Sequence, residues 1–299
     1  MFVISTRNFP PEIGGMQNLI GGLASTLIDY GPVTVFAEKT DKFEEYDKTS
    51  KATIERFGGF KLFRKYRKAN RVSEFIKEKK NIRSIFFDHW KSVEKINLDL
   101  LKNIPSFCLI HSKEINHLKN SSLNNRVLKS LNKVRFIIAN SRFTKKLALD
   151  IGLPEKKIHI IHPGHDEPMN VEDKYIKESK KLFGESFPKI LTVARLDRRK
   201  NHQNILICIR NLKEKFPRIK YISVGNGDEK KRLITLTKEL KLENNVIFLD
   251  NVDQKLKISL IQTSNLFLMP SIIFKKSVEG FGISFIEAAS YGVGSIGGK

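Results

Sequence analysis

Short apolar runs alternate along the chain with amphipathic, lysine-rich stretches. This is the pattern of parallel-sheet α/β units. Phe2-Val3-Ile4 reads as a first strand. A glycine-containing loop, Pro10-Pro11-Glu12-Ile13-Gly14-Gly15, follows it, and then Met16, Leu19, Ile20, Leu23 and Leu27 recur at helical spacing. Val33–Ala37, Ile85–Phe87, Phe107–Ile110, Phe136–Ala139 and Ile158–Ile161 are further buried-strand candidates.

A second series of the same kind begins after a connection that runs from Pro163 to Pro188 and carries one short helix. Its strands are Ile190–Ala194, Tyr221–Val224, Val246–Leu249, Leu266–Met269 and, more weakly marked, Ser295-Ile296. The expected organisation is two Rossmann-like α/β domains facing a cleft, residues 1–165 and 188–299, joined by a linker over 166–187. Ligands of such sheets bind beyond the carboxyl ends of the strands.

Composition narrows the class. The 299 residues are 40% hydrophobic and 29% charged, a globular balance, and no apolar run is long enough to span a bilayer. The first residues do not read as a signal peptide, because Phe9-Pro10-Pro11 interrupts a short apolar stretch. Two cysteines, Cys108 and Cys208, argue against a disulfide framework or a cysteine metal site and fit a cytoplasmic protein. The formal net charge of +22 fits nucleic-acid binding, adhesion to an anionic membrane surface, or a plain compositional bias. Charge alone names no partner, and no nucleic-acid recognition motif accompanies it, so no nucleic-acid partner is expected.

Candidate chemistry lies at the ends of the strands. Gly14-Gly15, between first strand and first helix, would let backbone N–H groups approach a phosphate, although the spacing equally fits a plain turn. Arg195 ends the Ile190–Ala194 strand and Lys200 follows five residues on. Such a pair can grip a diphosphate and stabilise the charge that grows on it as a sugar departs, or form a solvated loop. Gly225-Asn226-Gly227 is another strand–loop–helix junction that could cradle a nucleoside or simply turn. Glu279-Gly280-Phe281-Gly282-Ile283 precedes a helix carrying Glu287, which places one carboxylate before the helix and one about two turns along it. His111 and His89 each stand just past a strand; His89 reads more readily as a structural histidine.

In order, these elements resemble the retaining glycosyltransferases of group 1, or family 4, with the GT-B fold. The resemblance is carried by Phe9–Gly15, by Ala139-Asn140-Ser141-Arg142-Phe143-Thr144, by Ile160-Ile161-His162-Pro163-Gly164-His165-Asp166, by Val193–Lys200 and most specifically by Glu279–Glu287. It implies that Gly14 and Gly15 meet the donor diphosphate, that Arg195 and Lys200 bind it and stabilise the leaving group, and that Glu279 contacts the donor sugar and Glu287 the ribose. His111 falls near the transferred sugar, and Gly225, Asn226, Gly227, Phe281, Gly282 and Ile283 fall on the nucleotide side. It also implies a nucleotide-sugar donor, UDP- or GDP-linked, a glycan or lipid-linked acceptor, no cofactor and no metal.

The sequence departs from the family pattern at its end: a further strand and helices are expected after Ser290–Lys299, so the second domain reads as incomplete. That predicts poorly covered apolar positions near Leu266–Met269 and Phe285–Ala289 and leaves an inactive fragment as one alternative. A sugar-nucleotide 2-epimerase of the same fold is another, disfavoured by the Arg195/Lys200 and Glu279/Glu287 pairs. Residues 61–80 interleave Lys61, Arg64, Lys65, Arg67, Lys68 and Arg71 with Leu62, Phe63, Tyr66, Ala69, Phe75 and Ile76. This reads as a surface helix packing an apolar stripe on its own sheet, or as a basic face docking peripherally on the anionic inner face of the cell membrane.

Overall fold

The computed structural model describes every residue except Ile13, Asp166, Asn251 and Lys299, together with the side chains of all but Lys61 and Leu62 of the described helices. Ile13 and Asp166, within the stretches singled out above, therefore lie outside the described residues. The chain divides into two units, Met1–Gly164 and His165–Lys299.

The first unit runs β1 (Phe2–Ser5), α1 (Gly15–Ile28), β2 (Val33–Glu38), α2 (Phe43–Thr49), β3 (Thr53–Phe57), α3 (Lys61–Glu78), β4 (Ser84–Phe87), α4 (Trp90–Val93), α5 (Leu98–Leu101), β5 (Ser106–Ile110), α6 (Ser122–Leu131), β6 (Phe136–Ala139), α7 (Arg142–Asp150) and β7 (Ile158–Ile160). Its sheet has seven strands in the order β3-β2-β1-β4-β5-β6-β7, with every pairing parallel. The central strands β1, β4, β5 and β6 are mostly apolar because helices cover both faces. In β1, Val3 enters one core with Phe36, Ile85 and Phe87, while Phe2 and Ile4 enter the other with Val33 and Val35.

β3 is absent from the sequence reading. Its run Thr-Ile-Glu-Arg-Phe is broken by two charges, yet it pairs with β2 from Thr34↔Thr53 to Glu38↔Phe57. Arg56 is tolerated there because it donates to Asp47 at 2.7 Å and to the Pro10 carbonyl at 2.6 Å. Helix α3 also differs from expectation. Ala69, Phe75 and Ile76 pack inward as predicted, but Phe63 is 64% exposed and Tyr66 is exposed too. Lys68 turns inward in their place: its Nζ donates to the Thr6 carbonyl at 2.5 Å and sits 3.8 Å from Glu38. Arg64 pairs with the same Glu38 at 3.1 Å. The supposed basic face is thus partly consumed inside the protein.

The second unit runs α8 (Asp173–Phe183), β8 (Lys189–Val193), α9 (His202–Leu212), β9 (Lys220–Val224), α10 (Lys230–Glu239), β10 (Val246–Leu249), α11 (Gln254–Thr263), β11 (Leu266–Met269), α12 (Ile283–Ser290) and β12 (Ser295–Gly297). Its sheet has five parallel strands in the order β10-β9-β8-β11-β12. Helix α8, expected within the 166–187 linker, is part of this unit's core: Phe183 is buried with Leu260 and Phe267, and Ser179 Oγ donates to the Ser259 carbonyl at 3.1 Å. Of the apolar positions expected to lie bare, Ala289 is exposed and Leu266, Phe285 and Ile286 are half-buried, but the rest are covered. Phe267, Leu268, Met269 and Ala288 are buried, because β12 pairs along β11 and Phe285 lays its ring edge-on to Phe267 at 5.8 Å.

Both cysteines are free. Cys108 is buried in β5, and burial pushes its thiol pKa well up; Cys208 on α9 is exposed.

Candidate active site

In the second unit the carboxyl ends of β8 and β11 bring together residues far apart in sequence. After β8 the chain makes a short turn, Arg198–Lys200, capped by Asp197, whose Oδ1 accepts from the Lys200 backbone N–H at 3.1 Å. Asn201 follows in the left-handed region, φ 60°. This turn aims the Lys200 side chain back under the sheet edge. Its Nζ donates to Glu279 Oε2 at 2.5 Å and lies 3.1 Å from Met269 Sδ. The same carboxylate oxygen accepts from Arg199 Nη1 at 2.5 Å and from Ser271 Oγ at 3.2 Å.

The charges fix one another's ionisation. Burial pulls the Lys200 ammonium below the usual lysine range, and the attraction of Glu279 only partly offsets this. Burial would raise the Glu279 carboxyl, but Lys200 and Arg199 together outweigh it and hold it below the ordinary carboxylate value. The result is a largely buried, ionised cluster in which one carboxylate oxygen of Glu279 serves two cations, with Asp197 3.9 Å from Arg199.

Of the sequence-predicted residues, Lys200 and Glu279 meet. Arg195 does not join them: its side chain is 69% exposed and pairs with Asp197 at 3.2 Å. Glu287 lies apart on α12, bound to Lys257 Nζ at 2.9 Å. Gly282 sets the start of α12 with φ 85°, flanked by half-buried Phe281 and Ile283. Ser284 Oγ ties the helix to β8 by donating to the Val193 carbonyl at 3.0 Å. At Gly225, φ is 138° and a Cβ would stand 2.2 Å from the Ala194 carbonyl oxygen; at Gly227 it would stand 2.4 Å from that of Leu196. These glycines therefore let the loops after β8 and β9 touch, an approach sealed by the Leu196 N–H donating to the Asn226 carbonyl at 3.0 Å.

Two residues of the second unit escaped the sequence reading. Arg199 is one, indistinguishable by pattern in so basic a stretch. His202 is the other. It is buried at the start of α9, its Nε2 donating to the Arg195 carbonyl at 3.1 Å and its Nδ1 accepting from Tyr221 Oη at 3.0 Å. Burial lowers its pKa to about 4, so the ring is neutral. Its position directly after Lys200-Asn201 was the available signal.

In the first unit the carboxyl ends of β1, β4 and β5 converge on Asp88, also missed. Asp88 is fully buried. Its Oδ2 accepts from the backbone N–H of Arg7 at 2.8 Å and of Asn8 at 3.3 Å, and its Oδ1 from Ser92 Oγ at 2.8 Å. His111 Nε2 donates to the Asp88 carbonyl at 3.2 Å, and its backbone N–H to Glu114 Oε1 at 2.5 Å. His89 Nδ1 caps α4 by accepting from the Lys91 N–H at 2.9 Å. Burial, with help from neighbouring cations, lowers its pKa to about 3. Gly14, in extended backbone, precedes α1, and Gly15 is its first residue. Ser141 caps α7 by accepting from the Thr144 N–H at 3.1 Å, which explains the Asn140-Ser141 segment locally. Among the described residues no group of three or more His, Cys, Asp or Glu is arranged to hold a metal ion.

Two parallel α/β units, each with chemistry at the carboxyl edge of its sheet, are the architecture of the GT-B glycosyltransferases. Residues 13–167 match the family described as Glycosyltransferase Family 4, and residues 173–298 match Glycosyl transferases group 1. The chain belongs to this family of glycosyltransferases. Among curated relatives it is 34% identical over 143 residues to an O-antigen biosynthesis glycosyltransferase, WclY, of Escherichia coli; the match spans 47% of this chain and 37% of that protein. It is 23% identical over 307 residues to the GDP-mannose-dependent monoacylated alpha-(1-6)-phosphatidylinositol monomannoside mannosyltransferase of Corynebacterium glutamicum, covering 99% and 79%. Among solved structures it resembles Anabaena Alr3699/HepE in complex with UDP-glucose, with TM-score 0.78, 18% identity and coverage of 99% and 80%. The sucrose-phosphate synthase of Thermosynechococcus elongatus gives TM-score 0.74 at 17% identity, with coverage of 99% and 80%.

Proposed function

We propose that this protein transfers a sugar from a UDP- or GDP-linked donor to a glycan or lipid-linked acceptor, with retention of configuration and without a metal, in the synthesis of cell-surface polysaccharide or glycolipid. The observation that carries this reading is the cation-rich cluster of Lys200, Arg199 and Glu279 at the carboxyl edge of β8 and β11. A nucleoside diphosphate leaving group needs such cations. Lys200 and exposed Arg195 would bind the diphosphate, and Gly15 would offer it a backbone N–H. Glu279 would hold sugar hydroxyls, Glu287 the ribose, and His111 would stand near the transferred sugar. The bond from the anomeric carbon to the phosphate oxygen breaks as the acceptor oxygen attacks from the same face. The acceptor proton passes to the departing diphosphate, so no protein nucleophile is required.

The relatives support the donor class: the HepE structures are in complex with UDP or UDP-glucose, and the Corynebacterium relative is described as GDP-mannose-dependent. Calorimetry with UDP, GDP and their sugars tests it directly. Transfer assayed with and without EDTA, and the anomeric proton coupling of the product, test the rest. A chain that binds no nucleoside diphosphate, or whose turnover vanishes with EDTA, or that inverts the anomeric centre, refutes the corresponding part.

A peripheral site of action, on the cytoplasmic face of the cell membrane, completes the proposal. No helix among the described residues is long and apolar enough to cross a membrane. Phe60 and Phe63, 67% and 64% exposed, lie 6.0 Å apart at the start of α3. Close by, Lys65 and Lys95 both lie over the Tyr66 ring. An aromatic pair beside lysines suits an anionic lipid surface. Co-sedimentation with phosphatidylglycerol vesicles but not with neutral ones is expected; equal binding to both removes this part.

A further inference from the structure

The cluster around Glu279 contains one cation to which the family resemblance gives no role. Arg199 Nη1 donates to Glu279 Oε2 at 2.5 Å, and Nη2 lies 3.9 Å from Asp197 Oδ2. The side chain is 11% exposed, and its Nε is buried without a hydrogen-bond partner. The backbone is pinned as well, since the Ile272 N–H donates to the Arg199 carbonyl at 2.8 Å. Arg199 is therefore fixed between the turn after β8 and the loop after β11.

Glu279 Oε2 serves two cations and a hydroxyl, while the second carboxylate, Asp197, stands farther off at 3.9 Å from Arg199. If a diphosphate takes up Lys200, as the donor reading above requires, the ammonium must be shared or surrendered. A mostly buried carboxylate left with Ser271 alone would gain a proton or swing away. Arg199 is the group that prevents both. Its planar guanidinium, which offers several donors at once, is already held between Glu279 and Asp197.

We propose that Arg199 is a positioning residue that keeps Glu279 ionised and stationary for the sugar hydroxyls while Lys200 turns to the donor diphosphate. This rests on the donor reading, and it predicts a separation that a purely structural arginine would not produce. Arg199→Gln should impair recognition of the sugar and spare recognition of the diphosphate, and Arg199→Lys, charged but without the fork, should fall between.

Two measurements test it. The first needs no ligand: the Glu279 carboxyl is followed by 13C NMR as pH is lowered, its signal identified by loss in Glu279→Gln. The midpoint should rise by about 1 pH unit or more in Arg199→Gln, and by less in Arg199→Lys. The second is calorimetry with UDP against UDP-glucose and GDP against GDP-mannose. For the pair that the wild type binds, Arg199→Gln should hold the nucleoside diphosphate within about twofold and weaken the nucleotide sugar roughly tenfold. The deficit should widen as the pH falls toward the raised midpoint. An unmoved titration, or equal losses for diphosphate and nucleotide sugar, would overturn the role of Arg199. A wild-type chain that binds neither nucleotide overturns the donor reading and the inference with it, an outcome visible before any variant is made.

Discussion

Replacing Glu279 by glutamine keeps its volume and removes its charge, which leaves Lys200 and Arg199 facing each other with only the longer 3.9 Å pairing of Arg199 to Asp197 beside them. Their side chains are 10% and 11% exposed, and each loses a contact of 2.5 Å to Glu279 Oε2. Breaking a buried pair by removing one partner costs about 3–5 kcal/mol. Because Glu279 itself is 26% exposed and water can reach the vacated charge, the low end, about 3 kcal/mol, is expected. Lys200→Met acts on the same pair from the other side with a different outcome. Glu279 keeps Arg199 and Ser271, a desolvated ammonium disappears, and a thioether fills the space beside Met269. That substitution should cost about 1 kcal/mol or less. The protein carries its own control: its single tryptophan, Trp90, lies in the first unit. In urea titrations the circular dichroism transition of the second unit should shift in Glu279→Gln while tryptophan fluorescence stays in place. A Glu279→Gln chain as stable as the parent, or one more stable than Lys200→Met, would refute the view that this cluster is held by charge.

Three further outcomes follow from the geometry. His202, neutral in the fold with a pKa of about 4 against an ordinary 6.5, contributes its full stability above pH 6.5; this is lost as pH falls toward 4, by about 3 kcal/mol in all. His202→Gln should flatten that slope in pH-dependent unfolding, and an unchanged slope would refute it. Gly225→Ala must place a Cβ 2.2 Å from the Ala194 carbonyl at φ 138°, and should lose at least about 2 kcal/mol in urea unfolding. Asp88→Ala strands the Arg7 and Asn8 N–H groups and should cost about 3 kcal/mol, read by Trp90 fluorescence; a loss under 1 kcal/mol, on the order of a single exposed contact, would show that water replaces the carboxylate.

The strands were legible because covered parallel sheets demand unbroken apolar runs, and Phe2–Ser5 and Lys189–Val193 supply them. β3 was hidden because Glu55 and Arg56, being consecutive, put one charge on each face of this edge strand, and each is matched by a partner from elsewhere in the chain, Arg71 and Asp47. The rotation of α3 was hidden for a different reason. Periodicity counts apolar residues as inward, yet Lys68 is drawn in by a carbonyl and a carboxylate supplied by distant strands, which displaces Phe63 and Tyr66 to the surface. The carboxylates Glu279 and Glu287 stood out through their spacing across a glycine turn. Arg199 and Asp88 did not, since their importance lies in what approaches them from elsewhere in the chain.

The contrast between the two cysteines has a practical consequence. Cys108, fully buried with its thiol held protonated, is shielded from alkylation, whereas Cys208 on the outer side of α9 is open to it. A maleimide dye added to the unmodified protein should therefore attach at one place, in the second unit, while the only indole lies in the first. Tryptophan-to-dye energy transfer then becomes an optical ruler across the two units, written into the natural sequence and readable during a titration with nucleotide sugar.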